Sequence, residues 1–114
     1  IVEAVVRAVT IPVTLKIRTG PDAEHITAVD VAQRAEAAGA AAVDVHARTV
    51  AQSYVGGPDW SVVGLVKRSV GIPVFGSGGV REAVDASGAR AYDRRSRDPI
   101  FWSPFRGRRS HLEN

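Results

Sequence analysis

The chain has 114 residues, of which 45% are hydrophobic and 24% charged, and a net charge of +3. That is the composition of one ordinary globular domain at most. It contains no Cys, which excludes a disulfide scaffold, a Cys-ligated zinc site and a Cys nucleophile within these residues. No apolar run approaches the ~18 residues of a membrane span, and no secretory leader pattern is present. A cytoplasmic home with no membrane partner is therefore expected. The chain starts at Ile1 and lacks Met, so it reads as part of a longer polypeptide. Its charge is unevenly placed. Residues 1–89 hold eight basic and nine acidic side chains, whereas residues 90–114 hold seven Arg and three acids. The basic character belongs to the last 25 residues, and the body carries no nucleic-acid footprint by charge.

In chain order, Val2, Val5, Val6 and Val9 recur at helical spacing, and Ile11-Pro12 ends that helix. Residues 13–18 alternate: Val13, Leu15 and Ile17 on one face, Thr14, Lys16 and Arg18 on the other. Thr19-Gly20-Pro21-Asp22 is a loop with Asp22 as the expected N-cap of a helix over 23–38. Ile26, Val29, Ala32 and Ala35 line that helix, and Gly39 stops it. Residues 40–46 form a second strand, with Val43 and Val45 opposite Ala42, Asp44 and His46. A polar loop over 47–58 follows. Asp59 caps a helix running from Trp60 to about Val70, and a third strand spans Val74–Ser77. The glycine loop Gly76-Ser77-Gly78-Gly79 then opens a short helix over about 81–87.

Strands alternating with helices imply an α/β fold with parallel strands. Arg7-Ala8-Val9-Thr10-Ile11-Pro12-Val13 is echoed by Arg68-Ser69-Val70-Gly71-Ile72-Pro73-Val74, 61 residues later. Two βα units lie between the echoes. Eight such units amount to roughly 240 residues, the size of a (β/α)8 barrel, so this chain represents about three βα units of a partial TIM barrel. A doubly wound sheet has the same unit length. The polar strand faces favour the barrel, whose interior gathers functional groups at the C-terminal strand ends.

Four candidates carry chemistry. Lys16 is either a solvated edge lysine or a fixed cation that stabilises negative charge in a barrel mouth. His46 ends a strand two residues before Arg48, where an anion or cofactor contact competes with a structural role. Asp44 is either a base or a salt-bridge partner of Lys16 or Arg18, the second being favoured. Gly76–Gly79 precedes a helix and suits a phosphate, although it is neither the dinucleotide fingerprint nor a P-loop. The three histidines show no metal-ligand spacing, so no metal is expected.

Three stretches share a further pattern: Ile11–Arg18; Ala41–Thr49 with Gln52, Tyr54, Gly56 and Asp59-Trp60; and Ile72–Val80. Together they resemble the tRNA-dihydrouridine synthase family, flavin-dependent (β/α)8 oxidoreductases, over residues 1–89. The resemblance implies FMN at the barrel mouth, NADPH as its reductant, and reduction of uridine to dihydrouridine in a tRNA partner. It makes Lys16 the lysine at the flavin N1/O2 edge, where a cation favours the reduced ring. It places His46 near flavin and substrate, gives Arg48 a substrate-binding position, and assigns Ser77, Gly78 and Gly79 to the flavin phosphate loop. The family's catalytic cysteine acid and first flavin-binding strands belong to barrel units outside these residues. No catalytic residue is therefore expected here, and the chain alone should be inactive. Ser77 and Gly79 depart from the family's usual Asn and Asp, and Ala47 from its usual Gly.

The runner-up enzyme reading is another FMN-dependent barrel, of the dihydroorotate dehydrogenase kind. The non-enzyme reading is a degenerate fragment with an RNA-binding basic tail. Residues 90–114 form an Arg-rich tail without strand pattern. It is either an RNA arm, with Phe101, Trp102 and Phe105 stacking bases between arginines, or the product of a shifted reading frame. The abrupt end of the resemblance, where a core strand is due, favours the shifted frame.

Overall fold

In the computed structural model, residues 1–79 and the dipeptide Phe101–Trp102 are described. The elements are α1 (Val2–Ala8), β1 (Thr14–Arg18), α2 (Ala28–Ala37), β2 (Ala42–His46), α3 (Trp60–Ser69), β3 (Val74–Ser77) and β4 (Phe101–Trp102). The strands form one sheet in sequential order β1-β2-β3-β4, every neighbouring pair parallel. Sequential order, with α2 crossing from β1 to β2 and α3 from β2 to β3, is the arrangement of consecutive βα units in a (β/α)8 barrel.

The register shows why the alternation matters. Leu15, Val43 and Val74 are aligned across β1–β3, as are Ile17, Val45 and Gly76. These rows share one face, and both α2 and α3 cover it. Ala28 and Ala32 of α2 join Val62, Val63 and Val66 of α3 against Val43, Val45 and Val74 in the core. Each fully buried valine contributes about 1.5–3 kcal/mol over its exposed state. The opposite face carries Lys16, Asp44 and Phe75 in one row and Arg18, His46 and Ser77 in the next. A doubly wound sheet would need apolar residues there to receive a second helix layer. Rows in which Phe75 alone is apolar fit a barrel interior instead.

Trp60 fastens β3 to this core. A Cβ at Gly76 would collide with the indole ring, so only glycine admits the ring at that position. The indole N–H donates to the Gly78 carbonyl at 3.2 Å. The expected Asp59 cap is present: its carboxylate accepts from Ser61 N at 3.0 Å. At the opposite end of the sheet, Glu36 accepts from the backbone N–H groups of Gly71 and Ile72, at 2.7 and 3.0 Å, just before β3.

Two expectations are corrected. The second helix begins at Ala28, not at residue 23. The Asp22 carboxylate caps a tight turn rather than a helix, accepting from Glu24 N and His25 N, while Thr27 N and Ala28 N bond to Thr19 O. The chain is thereby held non-helical up to Thr27, and Ile26 lies exposed ahead of the helix instead of on its apolar face. The tail expected to lack strand structure supplies Phe101–Trp102 as a two-residue strand beside Phe75–Gly76 of β3. The helix expected over 81–87 and the rest of the tail lie outside the described residues.

Candidate functional site

The C-terminal ends of the parallel strands collect the charged groups, because Lys16, Arg18, Asp44, His46 and Ser77 share the face the helices leave open. Lys16 Nζ lies 2.9 Å from Asp44 Oδ2 and donates to Ser77 Oγ at 3.2 Å. The Ser77 hydroxyl is also within 3.5 Å of Asp44 Oδ1. Asp44 is thus the partner of Lys16, as favoured from sequence. The Lys16 side chain remains 53% exposed, so this pair adds little to stability and the ammonium stays available on its open side. Ser77 ends β3 with its hydroxyl turned to Lys16 and Asp44. Of the three expected phosphate-loop residues, only Gly78 and Gly79 stand in the turn itself.

Arg18 and Arg48 flank this row. Arg18 Nη1 donates to the carbonyls of Thr49 and Ser53, at 3.0 and 2.8 Å. Its guanidinium sits 5.3 Å from the Tyr54 ring centre, within cation–π range. Tyr54 in turn lies 5.8 Å from the His46 ring, tilted by 39°. Arg48 Nε donates to Gly56 O at 3.2 Å, and its Nη1 is 3.4 Å from His46 Nε2. A guanidinium can only donate, so this contact makes Nε2 the acceptor and leaves the imidazole proton on Nδ1. Burial, then the positive charges of Arg18, Arg48 and Lys16, push His46 below the ordinary value of 6.5, and Asp44 pulls it partly back. His46 is consequently neutral around neutral pH. Three cations and one carboxylate surround it, so the mouth is electropositive.

The glycine turn closes against the same histidine. Gly78 and Gly79 have φ of +113° and +72°, where side chains are disfavoured. A Cβ on Gly78 would fall 2.9 Å from His46 Cδ2, and one on Gly79 2.7 Å from the Pro58 ring.

Lys16, His46, Arg48, Ser77, Gly78 and Gly79 therefore gather at one end of the sheet. Asp44, weighed above as a base or a salt-bridge partner, joins them, as do Gln52 and Tyr54 of the resemblance pattern and Arg18, none of which was given a binding role. Arg18 is recoverable from its two-residue phase with Lys16. Gln52 and Tyr54 stand in the resemblance pattern, but their contacts could not be foreseen, because loop contacts follow no period. Among the described residues, no group of three or more His, Asp or Glu could hold a metal, and no helix is long and apolar enough to cross a membrane.

A family model for dihydrouridine synthase matches residues 1–93. The chain belongs to the dihydrouridine synthase family. Family relatives include a probable tRNA-dihydrouridine synthase of Rhodobacter capsulatus, 44% identical over 93 residues that cover 82% of this chain and 28% of that protein. A probable tRNA-dihydrouridine synthase of Mycobacterium leprae is 51% identical over 90 residues, covering 75% of this chain and 23% of the relative. The tRNA-dihydrouridine synthase B of Pseudomonas aeruginosa is 43% identical over 97 residues, covering 80% and 29%. The chain thus spans roughly a quarter of the length of the curated relatives it matches. The family match stops at residue 93, so most of the Arg-rich tail lies beyond it.

Proposed function

We propose that residues 1–79 form part of the mouth of a tRNA-dihydrouridine synthase barrel, and that the whole protein reduces uridine in tRNA with FMN, itself reduced by NADPH. One observation carries the reading. Lys16, Arg18 and Arg48 converge with neutral His46 at the C-terminal ends of parallel strands, beside a glycine turn. The relatives' names supply the substrate class. The donor set fits a flavin mononucleotide, whose phosphate and carbonyl edge both require donors or cations.

In this reading, bound FMN would supply the hydride for uridine reduction. Lys16 would place its ammonium where negative charge collects, held in position by Asp44 and Ser77. His46 keeps its proton on Nδ1 as a donor while Nε2 takes the Arg48 bond, so it serves as a hydrogen-bond donor rather than a base. Arg48 and Arg18 would hold an anionic or carbonyl group of the substrate, and Gly78 and Gly79 would offer backbone donors to the phosphate. The sequence holds no Cys, so the acid that protonates uridine C5 would come from other barrel units.

The test is a chimera in which residues 1–79 replace the matching segment of the Rhodobacter capsulatus relative. Dihydrouridine formation in unmodified tRNA, with flavin bound, is the expected result. A folded chimera that binds flavin but leaves uridine unreduced would overturn the substrate assignment. A folded chimera without flavin would overturn the cofactor assignment.

A further inference from the structure

The outer part of the 47–58 loop, residues 50–57, cannot be held by apolar burial. Val50, Tyr54 and Val55 are 62%, 73% and 77% exposed. Yet the carbonyls that aim both arginines come from this loop: Thr49 and Ser53 for Arg18, Gly56 for Arg48. Backbone bonds from Val50 N to Gly20 O and from Ala51 N to Pro21 O tie its first half to the preceding loop, Asp59 N to Ala47 O joins its two ends, and Ser53 N to Val50 O and Val55 N to Gln52 O turn its tip. The Gln52 amide spans both halves. Its Oε1 accepts from Thr49 N at 3.0 Å and Thr49 Oγ1 at 3.3 Å. Its Nε2 donates to Val55 O at 3.4 Å and Gly57 O at 3.3 Å. The Gln52 backbone N–H adds a bond to Thr49 Oγ1 at 3.1 Å. One planar amide, with an acceptor at one end and donors at the other, closes the loop on itself.

We propose that Gln52 is the positioning residue of this mouth, a latch that fixes the loop carbonyls and through them points Arg18 and Arg48 toward His46. Its side-chain bonds run to Thr49, Val55 and Gly57 of its own loop, so it acts through the two guanidinium groups. What those groups hold rests on the function proposed above, but the latch itself does not.

The imidazole of His46 reports on the latch directly, because Arg18, Arg48, Lys16 and Asp44 are the charges facing it. The experiment follows the His46 ring C–H signals by NMR through a pH titration of the full chain. In Gln52→Ala the guanidinium groups are released, and the His46 midpoint rises toward its ordinary value of 6.5. Thr49→Val keeps the shape of a buried position but loses both hydroxyl bonds, and shifts the midpoint the same way by less. Glu36→Ala, which loosens the far end of β3, lowers the melting temperature and leaves His46 where it was. A wild-type midpoint in folded Gln52→Ala overturns the proposal, as does an equal rise in Glu36→Ala. If Gln52→Ala does not fold, the Thr49→Val titration decides: a rise supports the latch and an unchanged midpoint overturns it. Neither flavin nor tRNA enters the measurement, so this test and the chimera test fail independently.

Discussion

The two faces of the sheet are built from the same strands and the same hydrogen-bond ladder, yet they do opposite work. One face sets Val43, Val45 and Val74 under two helices and is closed to water. The other sets Lys16, Asp44 and His46 on the open side, where their contacts are ion pairs, hydrogen bonds and ring edges. A period of two residues separates stability from chemistry within each strand. Changes on the valine face should therefore cost folding free energy, and changes on the polar face should cost ligand contacts.

The largest break in that comparison is Trp60→Ala. Removing a buried indole costs about 3–5 kcal/mol, read as a lower urea midpoint of the full chain, and it also frees the Gly78 carbonyl. Gly76→Val attacks the same contact from the strand side. It drives a side chain into the indole and costs about 1–3 kcal/mol by overpacking. The double variant should lose less than the sum, because the space vacated by the indole receives the valine. A fully additive loss would mean that the two residues are not packed against each other.

Lys16→Ala sharpens the comparison from the other face. An exposed ion pair contributes about 1 kcal/mol or less, so the urea midpoint should hardly move. Flavin retained by the chimera should fall about tenfold, the loss of one charge-assisted hydrogen bond. A large loss of stability with unchanged flavin would reverse the roles assigned to the two faces.

The smallest effect is the pH dependence of His46. Its folded value is lowered, so between that value and the unfolded one, near 6.5, the unfolded chain binds more protons. Its contribution to stability is complete above about pH 6.5 and is lost as pH falls through that window. In His46→Asn this part of the acid limb of a melting-temperature profile should flatten. An unchanged limb would show that neither burial nor the neighbouring cations hold the imidazole below its ordinary value.

Much of this fold is legible in the sequence. The valine and polar rows of β1 and β2, the Asp59 cap and the third strand follow from period and local chemistry that act within a few residues. The start of α2 does not, because Asp22 has two uses for its carboxylate. Whether it caps a helix or a turn is decided by Thr19 O, which takes the N–H groups of Thr27 and Ala28. The strand at Phe101–Trp102 escapes sequence reading because two residues carry no period, and its partner Phe75–Gly76 lies far away along the chain. Lys16, His46, Arg48 and the glycine turn are recognisable as residue types in a pattern. Gln52 stands in the same pattern, but its latch cannot be read there, since its meaning depends on where the loop carbonyls and one threonine come to rest.

By itself, the sequence determined the repeating βα unit, the segregation of apolar from charged residues along each strand, and membership in the dihydrouridine synthase family. These properties are local or statistical, and they survive in a string of letters. The tertiary structure decided which cation meets which carboxylate, why glycine stands at 76 and 78, and how the carbonyls of a largely solvent-facing loop hold two arginines. Such facts arise only when segments tens of residues apart are brought within hydrogen-bonding distance, where a few ångströms separate a contact from none.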